Sequence, residues 1–338
     1  MDSKLTPIEI RQYRPGDEVA ILDCFNRIFS AVDVTFKPRE LAAWRWQFEA
    51  NPSGSHITLA LTPEGKVVGQ FAAIVQSVYF DGGRTLFSQG VDHMADRAYR
   101  RRFRYGTMLA QMGNEFARDF GGAGPDKVTL MWGAPVPAAW RTGQAAVRYE
   151  VIRTQSKLCC EPGKLRLGAS SGVDVEELSE FPEDVLQLFE ACTQAHRAIA
   201  LRDKLHLDWR FKDHPAFDYR IACARRQGQL VGYAVYRKGD FDHQTGEGYL
   251  ADWLVLPRDE AAAQALLAWF GAAAQADQVT RMTAVFPDSI PEWSLFQAAG
   301  FDVRPTNYFL IGRQYVRSYD MQWMHKHWYY TLGDTDLI

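Results

Sequence analysis

The sequence is poor in the features that a metal-stapled, exported or nucleic-acid-coating protein needs. It holds five cysteines, Cys24, Cys159, Cys160, Cys192 and Cys223, with no CxxC pair and no ligand-like spacing to the eight histidines. A disulfide frame and a structural zinc are therefore not expected. His325-Lys326-His327 and the Asp334/Asp336 pair lack a third cluster to complete a metal site, so no metal is expected. There is no excess of positive charge either: 38 Lys and Arg face 41 Asp and Glu, a net of −3. Such a chain has no overall field to hold nucleic acid or an anionic membrane. The most apolar run, Ala261 to Ala276, is too short for a bilayer and is interrupted by Gln264 and Gln275, so it reads as a buried helix. Met1 to Glu18 carries charges every few residues where a signal peptide would have an apolar core, and the expected location is the cytoplasm. What is present is a globular composition, 47% hydrophobic and 23% charged, over 338 residues. At ~150 residues per domain this predicts about two domains.

The chain resembles itself. Ile8, Ile10, Trp44 and Arg45 recur as Val173, Val175, Trp209 and Arg210 at an offset of 165. Pro52 and Gly69 match Pro215 and Gly232 at 163, Asp92 matches Asp252 at 160, and Pro135, Glu150 and Val151 match Pro287, Asp302 and Val303 at 152. An offset that shrinks in steps is what a duplicated unit produces when its connections shorten and its order of elements is kept.

Each copy reads as strand, two helices, a three-strand meander, a helix, a strand, a short helical stretch and a last strand. In the first copy the strands are expected at Ile8 to Arg11, Ile57 to Leu61, Val67 to Phe80, Thr85 to Met94, Lys127 to Trp132 and Val147 to Leu158. Helices are expected at Glu18 to Phe29, Pro38 to Phe48 and Gly106 to Phe120. Asp81-Gly82-Gly83 is a hairpin signal, because such residues accept the positive φ of a tight turn. The second copy repeats the order with helices at Asp184 to Ile199, Arg202 to Lys212 and Asp259 to Ala276. Its strands are expected at Val173 to Glu176, Tyr219 to Ala224, Leu230 to Tyr236, Tyr249 to Leu256, Val279 to Phe286 and Phe301 to Ile311. Cys159 to Gly172 has the composition of a linker, which places the boundary near 165 and the domains at 1–164 and 165–338. The tail beyond Ile311 has no counterpart in the first copy. Its Trp323, Trp328, Tyr329 and Tyr330 predict packing across the two copies.

Between the third meander strand and the helix at Gly106 lies Arg97-Ala98-Tyr99-Arg100-Arg101-Arg102-Phe103-Arg104-Tyr105-Gly106, with five arginines. A strand-to-helix turn presents unpaired N–H groups and the positive end of a helix dipole, a suitable place for a pyrophosphate. Here the chain resembles the GNAT superfamily of acyl-CoA-dependent N-acyltransferases, in a tandem arrangement covering all but the tail. The resemblance implies an α/β (α+β) fold of two GNAT-like domains, each a mixed, mainly antiparallel sheet flanked by helices. Family members hold the pyrophosphate of coenzyme A on an Arg/Gln-x-x-Gly-x-Gly/Ala turn. Arg101-Arg102-Phe103-Arg104-Tyr105-Gly106 occupies that place, with Arg104 where the first glycine belongs. The second copy has Pro257-Arg258-Asp259-Glu260-Ala261 there, without glycine and with two acids. One acyl-CoA per chain, in the first copy, is what this implies.

The resemblance further implies a sheet opened beside the turn, so that the carrier's arm lies along Val91 to Asp96 like an added strand. Met94, Asp96, Arg101, Arg102, Phe103, Arg104, Tyr105, Gly106 and Thr107 are then the carrier-binding candidates. Acyl transfer needs a proton acceptor for the amine; Asp92 and His93 are the titratable side chains nearest the reacting end, and Asp252 is the candidate from the second copy. The implied activity is transfer of an acetyl or short acyl group to a small-molecule primary amine, an amino sugar being the first guess. A non-catalytic module that kept the fold is one alternative. An aminoacyl-tRNA-dependent peptidoglycan ligase is another, though the net charge of −3 opposes RNA.

Overall fold

The protein is described here by a computed structural model covering residues 7–32, 36–99, 107–241 and 244–338. In chain order the first half forms β1 (Glu9–Gln12), α1 (Glu18–Ser30), α2 (Leu41–Phe48), β2 (Ser55–Leu61), β3 (Val67–Phe80), β4 (Gly83–Ala95), α3 (Met108–Phe120), β5 (Val128–Gly133), α4 (Pro137–Val147) and β6 (Glu150–Cys160). The second half forms β7 (Asp174–Leu178), α5 (Val185–Cys192), β8 (Ala198–Ala200), α6 (Lys204–Leu207), β9 (Arg220–Arg226), β10 (Gln229–Phe241), β11 (Gln244–Val255), α7 (Glu260–Ala276), β12 (Met282–Ala284), α8 (Pro291–Ala298) and β13 (Asp302–Gln314). The tail adds α9 (Met321–His327) and β14 (Trp328–Tyr329).

Two compact units result, and they interleave in sequence. The first runs to Ser77, resumes over Thr85–Val151 and takes in Phe309–Ser318; the second comprises Val78–Arg84, Ile152–Tyr308 and Tyr319–Ile338. They do not coincide with halves divided near 165, because the closing strands are exchanged. In the first unit β1, β2, β3, β4 and β5 lie in that order, and β5 pairs antiparallel with Ile311–Gln314 of β13. In the second, β12 pairs antiparallel with Leu158–Cys160 of β6, followed by β11, β10, β9 and β7. A strand's alternation of side chains shows which face it buries, and nothing in it names the neighbour that takes its backbone hydrogen bonds.

Local chemistry accounts for most elements. The β3–β4 turn has Asp81 at φ 49° and Gly82 at φ 92°, the pair of positive φ values that matches a two-residue hairpin to strand twist. On α3, Met108, Met112 and Phe116 are buried at spacing four against Phe71 and Val68. Thr107 caps this helix by accepting from the Ala110 N–H at 3.2 Å. Gly113 faces the same core, where an added Cβ would come within 2.4 Å of Val147 Cγ1 and 3.1 Å of Phe71 Cε2. Gly113→Ala is therefore expected to destabilise the protein by about 1–3 kcal/mol by overpacking. On helix propensity alone alanine would gain about 1 kcal/mol. A urea midpoint above that of the native protein would refute the overpacking.

Three expectations fail locally. The helix expected at Asp184 to Ile199 ends at Cys192, where the Thr193 hydroxyl donates back to Glu190 O at 2.7 Å and competes with the helix backbone. Ala198–Ala200 then forms β8, pairing with β3 and β14. The helix expected at Arg202 to Lys212 is broken into α6 and a π-helical turn, Asp208–Lys212. The strand expected at Val279 to Phe286 shortens to Met282–Ala284. The linker-like stretch is tied down within the second unit: Arg166 N–H donates to Ala299 O and Gly168 N–H to Gln264 Oε1. The tail from Tyr319 onward belongs to the second unit, where Trp328, Tyr329 and Tyr330 are buried.

Candidate functional site

In the first unit, β4 runs parallel to β5 from Leu86↔Val128 to Gln89↔Trp132, and the pairing goes no further among the described residues. Beyond Gln89 the chain kinks. Asp92 has φ 52°, a left-handed conformation that non-glycine residues rarely hold, and its carbonyl accepts from Gln70 Nε2 at 3.2 Å. The Asp92 carboxylate is gripped by both terminal nitrogens of Arg39, with Nη2 to Oδ1 at 3.1 Å. Arg39 in turn lies over the Phe25 ring, 4.2 Å from its centroid. An ion-paired carboxylate of this kind fixes the kink.

His93 points to the other side of the strand and stacks on Phe71 at 3.9 Å. Its Nε2 lies 3.1 Å from Ala72 O, so this nitrogen carries the hydrogen and Nδ1 is the one left to accept a proton. Burial pushes its pKa down to about 4, and the ring is neutral at pH 7. Met94 is buried. Asp96 is held by its neighbours: its carboxylate accepts from Ala98 N–H at 2.9 Å and from Arg27 Nη1 at 2.8 Å. Burial opposes its ionisation, and these two donors outweigh it to leave the carboxyl below its usual range. Of the carrier-binding candidates, Arg101, Arg102, Phe103, Arg104, Tyr105 and Gly106 lie outside the described residues; Thr107 is the N-cap of α3.

The second unit is irregular at the matching place, where β11 shifts register against β10 between Leu250 and Asp252 without a left-handed residue. Here β11 and β12 pair only over Gly248↔Met282 and Tyr249↔Thr283. Asp252 accepts from Arg202 Nη2 at 3.2 Å, Tyr233 Oη at 2.7 Å and Thr331 Oγ1 at 2.8 Å. Arg202 also donates to Asp334 at 2.6 Å. Tyr329 Oη donates to Trp253 O, and a Cβ at Gly333 would come 2.9 Å from Ala251 O. The tail therefore lies along the part of β11 that β12 leaves unpaired. Arg210 holds the end of the tail through Gly333 O, Thr335 O and Ile338 O at 2.8–3.0 Å. At the start of α7, Asp259 accepts from Ala262 N–H at 3.0 Å and forms a two-pronged pair with Arg226 at 2.6 and 2.7 Å. Beside it opens a cavity of about 740 Å³ lined by Trp253, Val255, Arg258, Ile290, Leu295 and others.

Residues 183–301 match the acetyltransferase (GNAT) family model. Among curated proteins none matches this sequence. Among solved structures, a probable N-acyltransferase from Enterococcus faecalis is 17% identical and superposes with a TM-score of 0.65, over 92% of this chain and 73% of that one. A tandem GNAT protein from the clavulanic acid biosynthesis pathway is 12% identical, with a TM-score of 0.53 over 93% of this chain and 100% of that one. The chain has a tandem GNAT fold. A third GNAT structure is similar as well: the glucosamine N-acetyltransferase region of a fungal multi-domain GH3 β-N-acetylglucosaminidase, 12% identical, with a TM-score of 0.57 over 91% of this chain and 38% of that one.

Both GNAT units thus use one device that sequence reasoning passed over. Arg39 precedes α2 and binds Asp92; Arg202 precedes α6 and binds Asp252. The two arginines stand 163 apart, the same offset as Pro52 and Pro215. That coincidence was the available signal. The repeat gives the aspartate pair a shared structural task, the anchoring of a strand, where its pairing becomes irregular, to the segment before the second helix. His93 has no such counterpart; Trp253 stands at the matching position of the second copy.

Proposed function

We propose that the chain is an acyl-CoA-dependent N-acyltransferase that moves an acetyl or short acyl group to a primary amine, and that the first GNAT unit holds the thioester carrier. The observation that carries this reading is the parting of β4 from β5 after Gln89↔Trp132. It leaves Val91 to Asp96 free of β5 and able to receive a carrier's arm as an added strand. The same strand leads toward the arginine-rich segment and the capped start of α3, which suit a diphosphate. A bound thioester supplies an electrophilic carbonyl. The amine attacks it, the C–N bond forms as the C–S bond breaks, and the carrier leaves as its thiol; the proton the amine loses goes, in this reading, to His93 Nδ1 directly or through water. Asp92, locked to Arg39, keeps the strand in its kinked course. An amino sugar is the first acceptor to test, in keeping with the glucosamine-directed region of the fungal protein.

A second reading gives the carrier to the second unit. The family match at 183–301 and the cavity beside α7 favour it. Asp259, already capping α7 and paired with Arg226, and the tail along β11 speak for the first unit.

Thermal unfolding with acetyl-CoA separates the two. A carrier present at 100 times its dissociation constant should add about 2.7 kcal/mol of stability. Loss of that gain in Arg104→Glu and its retention in Arg258→Glu is the expected outcome, and the reverse pattern moves the carrier to the second unit. No gain with any acyl-CoA would end the enzymatic reading and leave a GNAT-like binding module. Mass spectrometry of glucosamine incubated with acetyl-CoA and the protein then tests the acceptor.

A further inference from the structure

Arg237, on β10, is a cation without an anion among the described residues. It is only 7% exposed, yet its guanidinium makes no hydrogen bond or ion pair with any described residue, and Nη1 is buried without a partner. The group rests on the Phe217 ring, with Cζ 3.6 Å from the centroid, and Tyr219 lies 5.9 Å away. A Cβ at Gly239 would come within 2.4 Å of Nη2 and 2.8 Å of Nε, so glycine at that position is what leaves room for the guanidinium. Beside it is a cavity of about 400 Å³, lined by Phe217, Asp218, Arg220, Tyr236, Arg237 and Lys238, with Ala216 and Asp277. It shares no lining residue with the cavity beside α7.

The other charges at this cavity are largely spoken for. Arg220 pairs with Glu177, Asp277 accepts from Tyr236 Oη at 2.8 Å, and Lys238 Nζ donates to the Asp277 carbonyl at 2.9 Å. Asp218 is exposed. The pairing of β9 with β10 stops at Tyr236↔Arg220, which leaves the next residues of β10 without a β9 partner. The positive field is felt by His214, stacked on Phe217 at 4.7 Å. Burial and the two cations Arg210 and Arg237 push its pKa down to about 3.

A buried, unpaired guanidinium is costly, and the cost is recovered when an oxyanion takes its forked N–H groups. We propose that this cavity is an oxyanion site, receiving the phosphate or carboxylate group of a small molecule on Arg237. The site stands apart from the acyl-transfer reading and holds whether or not that reading does. Phe217 supplies the flat face that orients the guanidinium, and Gly239 supplies the space beside it.

The test is titration of the full chain with inorganic phosphate and, separately, acetate, against chloride at matched ionic strength. Thermal unfolding and the His214 imidazole resonances are the two readouts. One of the oxyanions should stabilise the protein and move the His214 signals, and the responding anion identifies the group. Arg237→Gln should weaken the response at least ~tenfold, and Gly239→Ser, whose side chain occupies the place of the guanidinium, should do the same. Arg237→Lys should retain part of it. His214 signals unmoved by both anions at about 50 mM, or an equal response in Arg237→Gln, would overturn the site. Because the first of these outcomes is read on the native protein, it decides even if a variant fails to fold.

Discussion

Arg202→Met should destabilise the protein by about 3–5 kcal/mol, the cost of leaving buried carboxylates without their cation. Arg202 is 2% exposed and bridges Asp252 and Asp334, which are themselves buried. Burial already pushes the Asp334 carboxyl up; Arg202 pulls it down, and Asp252 adds to the rise. Removing the arginine leaves two acids that cannot both stay ionised. The loss should fall first on the tail, because Thr331 and Asp334 reach the core through this network and Asp334 accepts from the Thr331 N–H at 2.9 Å. Urea unfolding measures the total, and limited proteolysis after Asp320 reports the tail. A change under ~0.5 kcal/mol, the range of an ordinary surface substitution, would show that the tail is held by its aromatic packing alone.

Acid should unfold the protein chiefly through its buried histidines. His93, His196 and His206 are each pushed down to about 4, in every case chiefly by burial, with Arg202 adding to the effect at His196 and His206. A histidine whose folded pKa lies below its ordinary 6.5 is bound by a proton more readily in the unfolded chain. Its contribution is therefore complete above pH 6.5 and is lost as the pH falls toward 4. Each can supply up to about 3 kcal/mol across that window. His56, pushed down to about 4, and His214, pushed down to about 3, both chiefly by burial, act in the same direction, and the five together are comparable with the roughly 5–15 kcal/mol by which a protein is stable, which places the midpoint between pH 4 and 6.5. The paired carboxylates Asp17, Asp96 and Asp184 are held below their usual range and come into play only lower. Stability measured against pH should thus rise steeply from 4 to 6.5. His93→Gln should flatten that rise by roughly one proton of the five; an unchanged slope would mean the ring is not held neutral by its burial.

Some of this was legible in residues taken a few at a time. The Asp81-Gly82 turn, the Met108/Met112/Phe116 face of α3 and the order of elements in both GNAT units follow from spacing and turn chemistry. The repeat even contained the Arg39–Arg202 correspondence, although an arginine in a loop gives no sign of the aspartate it will meet 53 or 50 residues later. Arg237 was not legible at all. In sequence it belongs to a polar stretch, Arg237-Lys238-Gly239-Asp240, that reads as the end of a strand. Only folding puts Phe217 against it and leaves it unpaired among the described residues.

The amino-acid order determined the duplication, the kinds of elements and the uneven chemistry of the two strand-to-helix turns, because each depends on neighbours within one or two turns of chain. Tertiary structure decided which strands closed which sheet, that Asp92 and Asp252 answer arginines, and that the tail lies along β11. Those outcomes depend on backbone and charge partners brought together from distant parts of the chain, and the side-chain pattern of one segment carries no record of the segment that will satisfy it.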